Sequence, residues 1–195
     1  MELKTKRLLL RPWRESDAEE LYRYAKNPAV GPIAGWPPHT NVENSREIIR
    51  TILSAPETYA VVLRETELPV GSAGLLLGGA SNLSLPSDEG ELGYWVGVPY
   101  WGQGLIPEVV KELVRYGFEE LGLSRIWCAS FDGNERSRRV QMRCGFRYHH
   151  TEYGVKGIRP NETRTLHVSC LSRAQYLGSR DGEDRGGGKN EHPAF

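Results

Sequence analysis

Several features that would point to particular classes of protein are missing from this sequence. No apolar run approaches the ~18 residues that a membrane span needs, and Leu8–Leu10 is too short for the apolar segment of a signal peptide. The 25 basic residues are balanced by 25 acidic ones, so the usual electrostatic basis for broad nucleic-acid binding is absent. We therefore expect a cytoplasmic protein with neither a membrane nor a nucleic-acid partner.

Cysteine and metal-ligand patterns are equally sparse. Cys128, Cys144 and Cys170 form no Cys-x-x-Cys pair, and without an export signal we expect them to be thiols in a reducing compartment. The five histidines include one adjacent pair, His149 and His150, but no spacing places three ligands around one ion. We expect no metal site.

The length of 195 residues fits one domain with a short tail. Residues 1–177 carry the apolar patterns of a folded domain. After Leu177 the chain reads GSRDGEDRGGGKNEHPAF, which is rich in glycine and charge and has little to bury. Residues 178–195 are therefore predicted to form a disordered C-terminal tail.

The pattern of apolar residues predicts a mixed α/β domain. Ser16, with Glu19 three residues later, is predicted to cap a first helix that ends at Asn27-Pro28. Further helices are predicted over 44–53, 106–121 and 134–144. Strands are predicted over 4–12, 58–64, 70–77, 91–98, 125–131, 146–153 and 162–170, with the early strands antiparallel and a strand–helix–strand crossover in the middle.

A loop rich in proline and glycine is predicted over 28–41, and it carries Trp36. This tryptophan either plugs the core or lines a substrate pocket, and the sequence does not distinguish the two. Gly93 and Gly97 are unusual inside a strand, and they indicate a bulge or a place where another molecule approaches the backbone.

The segment most informative about chemistry is WGQGLIPE, which begins at Trp101 and leads into the helix over 106–121. Glycines before a helix free backbone N–H groups to bind an anion, and the helix dipole favours negative charge there. A purely structural strand–helix turn would also explain these glycines. The Lys-Ser/Thr of a P-loop and the Gly-x-Gly-x-x-Gly of a dinucleotide fold are both absent.

Four segments together resemble the GNAT superfamily of acyl-CoA-dependent N-acetyltransferases, and in particular its ribosomal-protein N-terminal acetyltransferase branch. They are TKRLLLRPWRESDAEELY, ELGYWVGVPYWGQGLIPEVV, YGFEELGL and GNERSRRVQMRCGFRYH, and the resemblance covers about residues 3–172. It implies a largely antiparallel central sheet, splayed between two parallel strands and flanked by helices. Here those strands would be 91–98 and 125–131.

The resemblance also implies a binding site for acetyl-CoA. The family's Q/R-x-x-G-x-G/A motif falls on 101–106, where Gly104 matches, Trp101 replaces Gln/Arg and Ile106 replaces the last Gly/Ala. Backbone N–H groups there would hold the pyrophosphate, the strand residues would pair with the pantetheine arm, and Val96 would face the thioester oxygen. The implied cofactor-binding residues are Trp95, Val96, Gly102, Gln103, Gly104, Leu105, Ile106 and Asn134.

Two residues are predicted to move protons. Many family members place a tyrosine where this chain has Gln141, so we expect Ser137, at the position that the ribosomal-protein branch uses, to donate a hydrogen bond to the leaving thiolate. Glu91, at the start of the central strand, is the candidate base for the amine. Glu89, Tyr94 and the His149–His150 pair are alternatives, and proximity alone, without a dedicated base, is another.

The predicted function is transfer of an acetyl group from acetyl-CoA to a primary amine, either a protein N-terminus or a small molecule, by a monomer or homodimer. A catalytically quiet acyl-CoA-binding module is the alternative, because Gln141 and Ile106 depart from the family pattern.

Five arginines also cluster late in the chain. They are either a solvated face or, for one or two of them, contacts to the coenzyme's 3′-phosphate. They are Arg136, Arg138, Arg139, Arg143 and Arg147. A nucleic-acid-binding role for them is disfavoured by the neutral overall charge.

Overall fold

The computed structural model describes residues 1–186, which form one mixed sheet with helices packed on its two faces. The strands are β1 (Leu3–Lys4), β2 (Leu8–Arg11), β3 (Thr58–Leu63), β4 (Pro69–Leu77), β5 (Glu89–Val96), β6 (Arg125–Phe131), β7 (Arg147–Lys156) and β8 (Thr163–Ser172). The helices are α1 (Ala18–Ala25), α2 (Gly31–Ala34), α3 (Val42–Ile48), α4 (Leu105–Glu119), α5 (Glu135–Arg143) and α6 (Arg173–Gly186).

The strand order is β1-β2-β3-β4-β5-β6-β8-β7, and every neighbouring pair is antiparallel except β5 and β6. The connection between β5 and β6 runs through α4, which is the crossover that parallel neighbours require. The predicted fold class, a largely antiparallel sheet with one parallel pair and flanking helices, is confirmed.

The parallel pair is joined over a short stretch at one end. Only Glu89, Gly90 and Glu91 of β5 are in register with β6, opposite Arg125, Ile126 and Trp127. The remaining residues of β5 stay paired with β4, and the remaining residues of β6 stay paired with β8. The sheet therefore opens between β5 and β6 after Glu91, as the family resemblance implied, and we call this opening the strand gap.

Two apolar clusters hold the helices to the sheet. The larger cluster packs α4 against the central strands through Val109, Val110, Leu113 and Phe118, which are fully or almost fully buried. At about 100° per residue these positions spread over about half of the helix circumference, so α4 buries a broad apolar face. The smaller cluster packs α1 and the turn directly after α3 on the sheet, and it includes Trp13, Ala18, Leu21, Ala25 and Ile49.

The first predicted strand and the cap of the first helix differ in detail from the structure. The segment predicted as one strand folds into the β1–β2 hairpin, and the Thr5 side chain hydrogen-bonds Leu8 in its turn. A short 3₁₀ turn, Glu15–Asp17, precedes α1, and the Asp17 carboxylate accepts the Arg14 N–H at 2.9 Å. Asp17, and not the predicted Ser16, occupies the N-cap position of α1, and its carboxylate binds the buried Arg11 guanidinium instead of capping that helix.

The loop predicted over 28–41 contains the short helix α2, with Pro32 in its first turn, where a missing N–H costs nothing. The next helix begins at Val42, since the Asn41 side chain accepts the Asn44 N–H at 2.8 Å. Its last turn, Ile49–Leu53, is a π-helix. The π-turn changes the helical phase, and Ile52 within it is 60% exposed.

The predicted C-terminal tail is helical where the structure describes it. Helix α6 continues to Gly186, so residues 178–186 are not the disordered segment that the glycine and charge content predicted. Tyr176 anchors the helix, because its ring lies 5.1 Å from that of Phe118 and its hydroxyl donates to Glu119. Residues 187–195, the rest of that predicted tail, lie outside the described residues.

Candidate active site

The loop before α4 has the geometry of an anion-binding site. Gly102 and Gly104 have φ of +76° and +73°, which residues with a Cβ rarely adopt. Gly104 is the N-cap of α4, and no side chain caps this end of the helix. The first-turn N–H groups of Leu105 and Ile106 therefore lack intrahelical acceptors, and they lie at the positive end of a 15-residue helix dipole.

The N-terminal hairpin fixes this loop from the side. The Arg7 guanidinium donates to the Gln103 carbonyl at 2.9 Å and to the Glu108 carboxylate of α4 at 2.8 Å. Glu108 also accepts the Arg7 N–H and the Thr5 hydroxyl. Partial burial opposes ionisation of Glu108, but these hydrogen bonds outweigh it and hold the pKa of its carboxyl below the ordinary value. The clamp is thus ionic at neutral pH.

The backbone of β5 turns free polar groups toward the strand gap. Gly97 donates its N–H to Val70 of β4 at 2.8 Å. Because residues of an antiparallel strand alternate in the direction of their N–H and C=O groups, those of Val96 and Tyr94 point away from β4. The Trp101 indole donates to the Val96 carbonyl at 2.9 Å. The Val96 N–H is left facing the gap.

The two glycines of this strand differ in environment. A Cβ on Gly97 would meet the Tyr24 ring at 2.5 Å, so the close approach that this glycine indicated is an intramolecular contact. A Cβ on Gly93 would meet nothing within 4 Å. Gly93 therefore borders open space beside the strand gap, as the hypothesis of an approaching molecule requires.

Ser137, in the first turns of α5, stands opposite Tyr94 across the gap. Its Oγ lies 3.0 Å from the Tyr94 hydroxyl and accepts a hydrogen bond from the Gln141 amide at 3.2 Å. The Tyr94 hydroxyl also donates to the Ser137 carbonyl at 3.3 Å. Either hydroxyl can be the donor in the Tyr94–Ser137 contact, and the Ser137 proton is available to a ligand when Tyr94 is the donor.

Burial, more than any other cause, raises the pKa of Tyr94 well above the ordinary value for tyrosine, and the neighbouring Cys128 adds to the effect. Tyr94 is therefore protonated at neutral pH and can donate a hydrogen bond but cannot accept a proton as a base. Burial likewise raises the pKa of the Cys128 thiol to about 12, so this cysteine is not a nucleophile at neutral pH.

Asn134 connects the gap to the start of α5. It is the N-cap of this helix, and its side-chain oxygen accepts the Ser137 N–H at 3.3 Å. Its capping role therefore also orients Ser137. Because one Asn134 side chain has both oxygen and amide groups, capping leaves its amide free to contact a ligand.

A cavity of about 440 Å³ runs from the α4 loop along β5 to α5. We call it the gap cavity. It brings together most of the predicted site residues, namely Trp95, Val96, Gly102, Gly104, Leu105, Ile106, Asn134 and Ser137. Gln103 does not line it, because its side chain turns back to donate to the Pro99 carbonyl at 2.9 Å.

The predicted base, Glu91, lies outside the gap cavity. One of its carboxylate oxygens accepts hydrogen bonds from the Ser81 hydroxyl and the Asn82 N–H, at 2.9 and 2.8 Å, so Glu91 fastens the preceding loop. The alternative Glu89 accepts from the Trp127 indole. Five residues of extended strand separate Glu91 from Val96, a distance of ~17 Å, which is too long for direct proton transfer.

The His149–His150 pair also lies away from the gap cavity. The two Nδ1 atoms are 2.8 Å apart, and the His149 ring packs edge-on against Trp127 at 4.9 Å. His150 contacts Glu152 at 3.3 Å. Within residues 1–186, no three His, Cys, Asp or Glu side chains converge as metal ligands do.

The predicted arginine cluster divides into two sets. Arg136, Arg139 and Arg143 line the gap cavity, whereas Arg138 and Arg147 do not. Arg136 lies over the Trp101 ring at 4.0 Å, which attaches α5 to the residue that fixes the end of β5. The first set supplies the positive charge beside the gap.

The loop tryptophan, Trp36, covers the opposite face of the sheet from α4. Its ring lies 5.4 Å from that of Trp95 and 5.5 Å from that of His39. Trp36 does not line the gap cavity, so the structure favours its interpretation as a plug over the core.

Arg7 and the indole of Trp101 are two positioning groups whose roles sequence reasoning missed. Arg7 contacts a loop about one hundred positions away in the chain, and no local pattern marks such a partner. Trp101 was noted only as the residue at the Gln/Arg position of the motif, with no role assigned to its indole. The sequence does place Trp101 five residues after Val96, and a side chain at that spacing can hydrogen-bond the preceding strand end across a tight turn.

An open strand pair beside an uncapped, glycine-led helix is the architecture of acyltransferases that use acyl-coenzyme A. Comparisons with known proteins agree with this class. The acetyltransferase (GNAT) domain family matches residues 7–147. The chain belongs to this family, and it is an acetyltransferase.

Two curated relatives come from Bacillus subtilis (strain 168). The uncharacterized N-acetyltransferase YoaA is 30% identical over 149 residues, which are 74% of this chain and 81% of YoaA. YdaF, named provisionally as a ribosomal N-acetyltransferase, is 38% identical over 81 residues, 38% of this chain and 44% of YdaF. A GNAT-family acetyltransferase structure from Bacillus anthracis superposes with a TM-score of 0.74 at 23% identity, covering 89% of this chain and 99% of that one.

Proposed function

We propose that this protein transfers an acetyl group from acetyl-CoA to a primary amine, which is either a protein N-terminus or a small molecule. The observation that carries this proposal is the Val96 N–H, which faces the strand gap while the Val96 carbonyl is fixed by Trp101. An amide in that position can bind the oxygen of a thioester that lies along β5.

The loop over 102–106 fits the diphosphate of coenzyme A. Its two left-handed glycines, its uncapped helix start and the clamp from Arg7 present rigid N–H groups to an anion without a lysine. Trp95 and Val96 would pair with the amide groups of the pantetheine arm as a further strand would. Asn134 and the arginines of the gap cavity would contact the remainder of the coenzyme.

Acetyl transfer forms a C–N bond from the amine nitrogen to the thioester carbon as the C–S bond breaks. Negative charge develops on the carbonyl oxygen, and the Val96 N–H would stabilise it by ~3 kcal/mol, a typical contribution of one such donor. The leaving thiolate would accept a hydrogen bond from Ser137, whose Oγ is oriented by Gln141 and Tyr94, and would take its proton from solvent.

The attacking amine must lose one proton. Tyr94 cannot take it, because its raised pKa keeps it protonated. Glu91 can take it only through intervening water, and its role as the base stays a prediction, since its carboxylate is engaged by Ser81 and Asn82. We favour release of the proton to solvent after attack, with proximity supplying most of the acceleration.

An acceptor screen tests this proposal. The full chain is mixed with acetyl-CoA and a panel of N-terminal peptides, amino acids, polyamines and aminoglycosides, and free thiol is measured. We expect thiol release that depends on one class of amine and a product heavier by one acetyl group. Tight coenzyme binding with no release across the whole panel would contradict the proposal.

The second candidate function is a quiet acyl-CoA-binding module, favoured by Gln141 in place of the family's tyrosine. It predicts coenzyme binding without turnover and no effect of Ser137→Ala on any reaction.

Three other properties remain predictions. They are the cytoplasmic location, the absence of nucleic-acid and membrane partners, and the monomeric or homodimeric state. Within residues 1–186, no helix combines the length and apolar character needed to cross a membrane.

A further inference from the structure

A second cavity adjoins the site, and part of its lining has no role in the proposed coenzyme binding. Its volume is about 700 Å³, and it lies between the loop around α2, the start of α5 and the turn that joins β7 to β8. We call it the arginine cleft. Its charged lining residues are Arg136, Arg139, Arg159, Arg164, Glu135 and Glu162.

Four arginines against two glutamates leave an excess of two positive charges in this cleft. Both glutamates already have partners within the protein. Glu135 pairs with Arg138 at 3.2 Å, and Glu162 accepts the backbone N–H of Arg159 at 3.0 Å. Among the described residues, no carboxylate pairs with the side chains of Arg139 or Arg159, so these guanidinium groups are open to an external anion.

Arg164 is the preorganised member of the set. Its guanidinium donates to the Pro32 carbonyl at 2.8 Å and stacks over the Phe131 ring at 3.9 Å. Its Nε also lies 4.0 Å from Glu162 Oε1, and with a side chain only 15% exposed it loses little conformational freedom when an anion binds. Partly buried guanidinium groups suit carboxylates because they present two parallel N–H groups.

The arginine cleft is adjacent to the gap cavity. The two share Ile33, Asn134, Arg136 and Arg139 as lining residues. Ser137 lies three residues beyond Asn134, so a molecule held in the cleft could place an amine in the gap beside the thioester. Arg159 and Arg164 line the cleft but not the gap cavity, and they are therefore separable from coenzyme binding.

We infer that the acceptor is an acidic amine, meaning a primary amine that carries carboxylates close to the reacting nitrogen, and that Arg159 and Arg164 help to select it. This inference rests on the proposed acetyl transfer. The carboxylates can belong to the side chains of an acidic N-terminal peptide or to a free acidic amino acid. Cationic amines such as polyamines are disfavoured, because they would meet the excess positive charge.

The test compares acceptors that differ only in charge. Three hexapeptides begin with the same residue and continue with glutamate, glutamine or lysine, and free glutamate and spermidine complete the set. We expect kcat/KM to fall in the order glutamate, glutamine, lysine, by about fivefold per step. Turnover of the peptide without turnover of free glutamate identifies a peptide source, and the reverse identifies the amino acid.

Charge reversal at one arginine provides the variant. Arg159→Glu should lower kcat/KM for the glutamate peptide about fivefold and raise it for the lysine peptide, with coenzyme A affinity by calorimetry unchanged. Arg147→Glu is the matched control, since Arg147 is exposed and lines neither cavity. It should leave the peptide preference unchanged.

Three outcomes would overturn the inference. They are a lysine peptide or spermidine used as well as the glutamate peptide, a preference unaffected by Arg159→Glu, and a loss of coenzyme affinity in Arg159→Glu that matches the loss of activity. If no acceptor releases thiol, the proposed function fails, and fluorescence anisotropy still decides the inference. Labelled glutamate peptide should then bind the coenzyme complex more tightly than lysine peptide, and equal binding would contradict it.

Discussion

At the scale of single residues, the site depends on which polar groups are already engaged and which are free. The Val96 carbonyl is bound by Trp101, whereas its N–H faces the gap. Ser137 accepts from Gln141, and its proton can be donated to a ligand when Tyr94 is the donor in the Tyr94–Ser137 contact. The protein therefore directs donors, and not acceptors, to the place where negative charge develops during thioester cleavage.

Ser137 gives the first prediction. Ser137→Ala should lower kcat by about 10- to 100-fold, because the leaving thiolate loses a positioned donor, with KM for acetyl-CoA changed little. Steady-state thiol release measures both values. Ser130→Ala is the control, since the buried Ser130 hydroxyl has no hydrogen-bond partner among the described residues and should be dispensable. An unchanged kcat in Ser137→Ala would remove this residue from the mechanism.

Tyr94 gives a prediction about pH. Because burial raises its pKa above that of a free tyrosine, Tyr94 stays protonated at pH 10, and kcat should show no alkaline loss that depends on it. Its contribution to stability is fully present below the unfolded-state pKa of 10.0 and is lost as pH rises through the higher folded-state pKa. The profiles of kcat for wild type and Tyr94→Phe should be parallel up to pH 10. If kcat of the wild type falls at alkaline pH and this fall disappears in Tyr94→Phe, then Tyr94 loses its proton below pH 10 and the prediction is wrong.

At the scale of elements, the site is assembled where four chain segments meet. The β1–β2 hairpin holds the loop before α4, Trp101 holds the end of β5, and the start of α5 closes the gap from the other side. Each segment is short, and the loop before α4 and the start of α5 are fixed by hydrogen bonds to elements distant in sequence. Coenzyme affinity should therefore be sensitive to residues that never touch the coenzyme.

Arg7 tests this dependence between elements. Arg7→Ala should raise KM for acetyl-CoA about three- to tenfold with kcat nearly unchanged, because the loop loses its clamp while the reacting groups keep their places. Arg64→Ala is a matched control. Arg64 donates to Thr5 and Lys6 of the same hairpin but does not contact the loop before α4. Equal effects of the two substitutions would mean that the hairpin matters only for general stability.

At the scale of the whole molecule, the open sheet costs backbone hydrogen bonds between β5 and β6, and packing elsewhere must offset that loss. The apolar face of α4 covers one face of the sheet, and the cluster around Trp13 covers the other. A buried ion pair joins β2 to the start of α1, where Arg11 and Asp17 are 6% and 7% exposed. It holds the first helix in place on the sheet.

This ion pair gives the prediction about stability. Asp17→Ala should lower the free energy of unfolding by about 3–5 kcal/mol, because it leaves the Arg11 guanidinium buried without its counter-charge. Urea denaturation followed by circular dichroism measures the change. Glu15→Ala, which breaks the exposed pair with Arg50, should change stability little. A small change in the free energy of unfolding would show that water solvates the Arg11 guanidinium once the Asp17 carboxylate is removed.

The part of the fold that could be predicted from sequence is the part determined by local patterns. Helix α4 and strand β6 were predicted to within about two residues, since alternation and helical spacing are visible in the chain. The strand gap and most of the gap cavity followed from the family resemblance. The pairings of Arg7 with Gln103 and of Glu91 with Ser81 could not be predicted, because they depend on how distant or irregular segments meet in space.

Helix α6 was not predicted, because the tertiary packing of Tyr176 on Phe118 outweighs the poor helical propensity of its sequence.

Amide hydrogen exchange with and without acetyl-CoA is the most direct measurement of whether backbone N–H groups receive the coenzyme. The account predicts that exchange at Val96 and across 102–106 slows on addition of acetyl-CoA, while exchange on β3 is unchanged. Protection confined to other segments, with the Val96 amide exchanging as fast in the complex as in the free protein, would contradict it.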